Sequence, residues 1–378
     1  MKREDFPPLK NKELTYLDSS CMSLRPQQVI NAVKEYYTEY PACPGRSHHS
    51  MSEKATQKIE ETRQKTAEFI GTKKNNLILN TGTTKGLNTV AKTFPAEKVF
   101  ISDREHNSGL VPFQEKNCKL QILDTEGGLN LEKLDSEISE GDLLSLVHVS
   151  NLDGKKLDVK EAAKVARENN AYTMIDGAQS IPHNSVDVSS FPVDFLAFSG
   201  HKMLGPSGTG ALYVSDRGKQ KIKPLTTGGE AVENTTYQEA EYSEFPHRYE
   251  AGLPNVAGLI GMGAAVDYLE NIGMEKIHRH EKKLTQKLEE ELKGLEDVRY
   301  VSKGSGVVSF WIKGMDSHQA ALMLDEEDIA VRSGMHCVHS WFNDREERPG
   351  VRASLYLYNN EKDVEKLANE LEKLVYIS

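Results

Sequence analysis

Between Leu77 and Val214, short apolar runs alternate with helical stretches, and most runs are followed by a polar residue suited to chemistry. Leu77-Ile-Leu, Val99-Phe-Ile, Leu120-Gln-Ile-Leu, the run from Leu143 to Val149, Tyr172-Thr-Met-Ile, Phe195-Leu-Ala-Phe and Gly210-Ala-Leu-Tyr-Val read as strands. Segments 83–94, 108–116 and 158–169 read as helices between them. Such alternation permits few folds. It predicts an α/β domain whose mainly parallel sheet is covered by helices on both faces.

Thr83, His106, Asn151, Asp176 and Lys202 each follow one of these runs. In a parallel sheet those ends gather on one edge, where open α/β sheets bind ligands. Lys202 lies in Phe195-Leu-Ala-Phe-Ser-Gly-His-Lys-Met-Leu-Gly205. A desolvated lysine has a lowered pKa and can form a Schiff base with an aldehyde. The polar residues beside it could hold a phosphate. Asn80-Thr-Gly-Thr-Thr-Lys-Gly86 places Thr83 and Thr84 at a helix N-terminus, which suits an anion but is no Walker loop. Asp176 could pair with a protonated pyridine nitrogen, and Gln179 could donate to a ring oxygen. His106 could stack on an aromatic ring or relay protons. Asn151 could hydrogen-bond a ligand. Each motif alone is also an ordinary turn or capped helix. Their convergence carries the weight.

Residues 1–25 read as an arm containing Tyr16-Leu-Asp-Ser, followed by helices over 26–40 and 53–70. Residues 216–250 read as an irregular loop and linker. Helices follow over 255–271 and 275–292. Short strands then fall at 298–300, 307–312, 329–331 and from Val351, with a helix over 317–324. Val364, Leu367, Leu371 and Leu374 line a last amphipathic helix. The division expected is an N-terminal arm, 1–25, packing with the small domain; a large cofactor-binding domain, 26–270; and a small α+β C-terminal domain, 271–378.

A net charge of -10 argues against nucleic acid as the main partner. No apolar run is long enough for a membrane span, and the N-terminus lacks the apolar core of a signal peptide. Cys21, Cys43, Cys118 and Cys337 form no Cys-x-x-Cys pair, so neither a metal site nor a disulfide framework is signalled. A reducing cytoplasm is the natural setting. Cys337 falls in the polar stretch 332–342 with Arg332, His336 and His339 nearby, which reads as a mobile loop whose positive neighbours favour a thiolate.

Taken in order, Tyr16-Leu-Asp-Ser, Gly82-Thr-Thr, Glu105-His-Asn, Ser150-Asn, Asp176-Gly-Ala-Gln, Ser199-Gly-His-Lys, Glu250-Ala-Gly-Leu-Pro-Asn, Arg332-Ser-Gly-Met-His-Cys and Arg352-Ala-Ser-Leu-Tyr resemble the class V, fold-type I pyridoxal-phosphate enzymes. The closer resemblance is to the Suf-type cysteine desulfurases, alongside selenocysteine lyases, and it covers nearly the whole chain. It implies that Lys202 carries pyridoxal 5'-phosphate as a Schiff base and moves the substrate's α-proton. Asp176 would pair with the pyridine nitrogen, Gln179 with the phenolic oxygen, and His106 would stack on the ring. Thr83, Thr84, Ser199 and His201 would hold the phosphate. Arg352 would clamp the substrate carboxylate with help from Asn151, and Arg332 would shape the same pocket. Cys337 would take sulfur from L-cysteine as a persulfide, releasing alanine. The resemblance further implies a homodimer and a sulfur acceptor: a SufE-like or SufU-like shuttle, the Suf scaffold or a tRNA-thiolation protein. Selenocysteine lyase, or another class V pyridoxal-phosphate enzyme, is the alternative reading. Two residues depart from the family pattern. Leu253 stands where relatives carry a phosphate-binding threonine, and Trp341 is bulkier than usual, as if to narrow the entrance or dock an acceptor.

Overall fold

The computed structural model describes residues 3–10, 13–116 and 118–377. Its larger sheet has seven strands in the order Leu77–Asn80, Gly210–Val214, Phe195–Ser199, Tyr172–Asp176, Leu143–Val147, Lys98–Ser102, Lys119–Leu123. All neighbours run parallel except at Gly210–Val214, which is antiparallel to both strands beside it. Two reversals cancel, so Leu77–Asn80 ends on the same edge as the parallel strands. Phe195–Ser199, Tyr172–Asp176 and Leu143–Val147 are buried at every position. This is why they read as unbroken apolar runs rather than alternating ones.

Helices cover both faces. On one, Gln27–Glu39 and Ser50–Phe69 pack against Val256–Ile272, which is apolar nearly all round and buried accordingly. On the other, Thr83–Thr93 lies against Phe195–Ser199 and Asn107–Glu115. Val159–Glu168 begins at Asp158, whose carboxylate accepts from Glu161 N, as the capping-box reading expects.

A second sheet is antiparallel, in the order Val298–Ser302, Val307–Ile312, Gly350–Ser354, Arg332–Gly334. Met274–Lys293, Ser317–Glu326 and Glu361–Ile377 pack on it through Leu284, Leu288, Leu324, Leu367 and Leu371. The N-terminal arm joins this sheet's side. Thr15–Tyr16 pairs in parallel with Ile329–Ala330.

The structure corrects three readings of the chain. Residues 216–250 are not wholly irregular, because Val232–Thr235 and Ala240–Tyr242 form an antiparallel hairpin. Its side chains are almost all exposed, so no apolar alternation marked it. A short helix, Leu131–Glu137, had also gone unread. The stretch after Arg332 is not an open loop. It is the strand Arg332–Gly334, a tight turn, and the helix His339–Asp344.

Candidate active site

The parallel strand ends, the arm and the second sheet line one cleft. Lys202, His106, Asp176, Gln179, Thr83, Thr84, Ser199, His201, Asn151, Arg332, Arg352 and Cys337 all line it.

Lys202 ends the helical turn Gly200–Lys202 directly after the strand Phe195–Ser199. Gly200 is required there, since an added Cβ would sit 2.2 Å from Thr209 Oγ1. Burial pushes the Lys202 amine below its usual range, and the nearby Asp176 charge opposes this. Asp176 mirrors it: burial raises its carboxyl and Lys202 opposes. Both shifts favour neutral forms, so the pair is primed for a partner that supplies charge to Asp176 and takes up the neutral amine. Asp176 Oδ1 accepts from Ala178 N at 2.9 Å, and Oδ2 has no protein partner among the described residues. Gln179 donates one amide hydrogen to Ser20 O at 2.8 Å, leaving its second hydrogen free and a buried Oε1 unpartnered.

The opposite end of the cleft is an anion cradle. Thr83 opens the helix Thr83–Thr93, whose first N–H groups lack intrahelical acceptors. Ser199 Oγ accepts from Thr83 N at 2.8 Å and lies 2.7 Å from Thr83 Oγ1. Thr84 Oγ1 pairs with Ser108 Oγ at 2.8 Å. Gly82 adopts φ +130°, and a Cβ on it would approach Ser199 Oγ to 2.9 Å. His201 beside the cradle is lowered to about 4, first by burial and then by Lys202. His106 caps the next helix through Nδ1, which accepts from Ser108 N at 3.0 Å. Burial, then the cations around it, lower His106 to about 3. It is therefore a neutral ring at ordinary pH, free to stack on another ring. An anion cradle, an unpartnered carboxylate oxygen and a desolvated lysine between them fit pyridoxal phosphate.

Another wall of the cleft comes from the second sheet. Arg352 is fully buried, donating to Asn151 O at 3.0 Å and to Asp18 Oδ1 at 3.1 Å. Its Nε has no partner. Asn151 donates from Nδ2 to His336 O at 2.7 Å. His336 and Cys337 both take left-handed backbone, φ 50° and 60°, a conformation costly for residues with a Cβ. Two bonds hold it: the one from Asn151 and another from Asn107 N to Cys337 O at 2.7 Å. The turn is thus held at both carbonyls.

The family described as Aminotransferase class-V matches residues 15–367. The chain belongs to that family. A probable cysteine desulfurase of Pyrococcus abyssi is 37% identical over 99% of this chain and 96% of its own. One of Halalkalibacterium halodurans is 36% identical over 95% and 93%. Among solved structures, the apo cysteine desulfurase of Thermococcus onnurineus NA1 superposes with a TM-score of 0.95, at 36% identity, covering 100% of this chain and 98% of the other.

Two cleft residues of this class-V chain, Ser20 and Cys21 of the arm, escaped sequence reasoning. The arm's Tyr16-Leu-Asp-Ser motif pointed near them, but no local pattern reveals which distant strand an arm will join. Trp341 had been read as an entrance or docking residue. It is buried with Leu152, Trp311, Val338 and Phe342, so it anchors the helix after Cys337 instead. Leu253 is largely exposed. Among the described residues, no cluster of three or more His, Cys, Asp or Glu side chains could hold a metal ion. None of the described helices is long and apolar enough to cross a membrane.

Proposed function

We propose that this chain is a cysteine desulfurase that moves sulfur from L-cysteine to Cys337 and releases L-alanine. One observation carries the reading: the Cys337 thiol and the Lys202 amine line the same cleft, with Arg352 buried between the arm and Asn151. Thr83, Thr84, Ser199 and His201 would hold the phosphate of pyridoxal phosphate, Asp176, Gln179 and His106 would hold its ring, and Lys202 would anchor its aldehyde end. When bound, that group supplies an electron sink for the substrate's α carbon. Lys202 Nζ, whose proton affinity burial lowers, takes the α-proton. Arg352 and Asn151 orient the substrate carboxylate, and Arg332 shapes the wall facing Cys337. Cys337 Sγ then bonds the substrate sulfur as the carbon–sulfur bond breaks, leaving alanine and a Cys337 persulfide.

The pinned turn and the closed helix after it favour the Suf-type branch. The sulfur would pass to an acceptor protein feeding iron–sulfur clusters or thiolation, from a homodimer in a reducing cytoplasm that suits four free cysteines. The chain divides as an arm, 1–25, a large domain, 26–270, and a small domain, 271–378. To test the reading, the pyridoxal-phosphate-loaded protein is given L-cysteine. Alanine should form and one sulfur should add to the Cys337 peptide by mass spectrometry. Cys337→Ala should keep the cofactor's absorbance and lose the added sulfur. Full turnover by that variant would remove Cys337 from the reaction. Comparing rates on L-selenocysteine separates the lyase alternative.

A further inference from the structure

Cys337 is not the only thiol in the cleft. Cys21, carried by the N-terminal arm, lines it too. One guanidinium joins the two sulfurs. Arg332 Nη1 donates to Cys21 Sγ at 2.7 Å, and Arg332 Nη2 to Cys337 Sγ at 3.6 Å. The two nitrogens share one carbon, so both sulfurs lie against the same cation. A sulfane sulfur on Cys337 extends about 2 Å beyond Sγ, inside the space both side chains line. Asp18 sits on the same turn of the arm, which Cys21 N closes by donating to Asp18 O at 3.1 Å, so its carboxylate is at hand. A proton acceptor and a charge-stabilising donor thus flank this second thiol. Neither Cys43, which is exposed, nor Cys118, which bonds Phe113 O, has such surroundings.

We propose that Cys21 is a second sulfur-carrying residue, which receives the sulfane sulfur from Cys337 and clears Cys337 for another turnover. The inference rests on the reading of Cys337 as first acceptor. In the transfer Asp18 takes the Cys21 thiol proton, and Cys21 Sγ attacks the outer sulfur of the Cys337 persulfide. A new sulfur–sulfur bond forms at Cys21 while the one at Cys337 breaks. The outer sulfur keeps its proton, and the electron pair leaves on Cys337 Sγ. One sulfur–sulfur bond replaces another, so no oxidant or reductant is consumed. Throughout, the negative charge stays beside Arg332.

The test uses the cofactor-loaded protein without reductant, L-cysteine labelled with heavy sulfur, rapid alkylation and peptide mapping. Labelled sulfur is expected on both Cys337 and Cys21 in the wild type, on Cys337 alone in Cys21→Ser and Cys21→Ala, and on neither cysteine in Cys337→Ala. The burst of alanine per active site should halve in Cys21→Ser. Label confined to Cys337 in the wild type would overturn the relay and leave the Cys337 reading standing. So would a Cys21–Cys337 disulfide formed with release of sulfide. Label on Cys21 in Cys337→Ala would overturn the order of transfer. Alanine formed with no label on either cysteine would overturn the Cys337 reading itself. Mapping the wild type needs no variant, so the test survives misfolding of any substitution.

Discussion

Glu105 shows how a single buried carboxyl serves the site without touching a ligand. Its Oε1 accepts from Ser102 Oγ at 2.5 Å and Val147 N at 2.7 Å, while Oε2 has no partner. Burial pushes this carboxyl up from 4.5 to about 8, and the Asp176 charge adds to the rise. A neutral Glu105 leaves Asp176 as the carboxylate able to pair with a cationic ring. The folded protein then holds a proton that the unfolded chain releases above pH 4.5. Stability from this group is therefore lost as pH rises from there towards 8. Glu105→Gln, which mimics the neutral form, should flatten that part of the pH dependence. The difference should be on the order of a few kcal/mol, at about 1.4 kcal/mol for each tenfold change in proton affinity. Denaturant unfolding of both proteins at pH 5, 7 and 9 measures it, and identical slopes would mean that Glu105 is charged. Residues such as Lys202 and Asp176 were legible in the sequence because each follows its own strand. Arg352 and Cys337 were reached through the family resemblance, since only tertiary structure carries the second sheet to the first. Cys21 gave no signal as a cleft residue, for its partner Arg332 lies hundreds of positions away.

At the scale of elements, the anion cradle depends on how closely one helix meets one strand. A Cβ on Gly86 would lie 2.8 Å from Ala197 Cβ, so the helix Thr83–Thr93 rests directly on Phe195–Ser199. That contact fixes Thr83 against Ser199, the last residue of the same strand. Gly86→Val should force the helix off the strand at a cost of about 1–3 kcal/mol. It should also weaken pyridoxal phosphate binding, read by absorbance titration beside a thermal melt. A loss of stability with unchanged cofactor affinity would remove this helix from the cradle. Long elements like this one were readable because burial repeats along them with a clear period. The antiparallel course of Gly210–Val214 was not, since a strand buried on both faces has the same apolar run in either direction. The hairpin Val232–Thr235/Ala240–Tyr242 was hidden for the opposite reason, having almost no buried face.

For the whole molecule, the arm is the part that ties the two sheets around the cleft. It bonds the first sheet's side through Ser20 O to Gln179 and Ser23 N to His201 O, and the second through Ser20 N to Ser354 Oγ. Asp18 completes the tie by pairing with Arg352, whose side chain is only 2% exposed. Burial raises the Asp18 carboxyl and Arg352 opposes that rise, so the pair depends on both members. Asp18→Ala would leave the guanidinium with Asn151 O as its remaining partner. Breaking a buried pair by removing one member costs about 3–5 kcal/mol, and Asp18, partly open to the cleft, should fall at or below the lower figure. Arg352, the proposed carboxylate clamp, would also lose a group that orients its guanidinium. The KM for L-cysteine should therefore rise more than kcat falls, because the lost contact acts on bound substrate before any bond breaks. Excess pyridoxal phosphate should restore part of the lost Tm, since a ligand at a hundred times its Kd adds about 2.7 kcal/mol. It should not restore KM if Arg352 binds the substrate carboxylate as proposed. A variant with lowered Tm but wild-type KM would reduce Asp18 to a staple between sheets. A KM defect that persists once the fold is stabilised would show that the arm helps to build the substrate site itself.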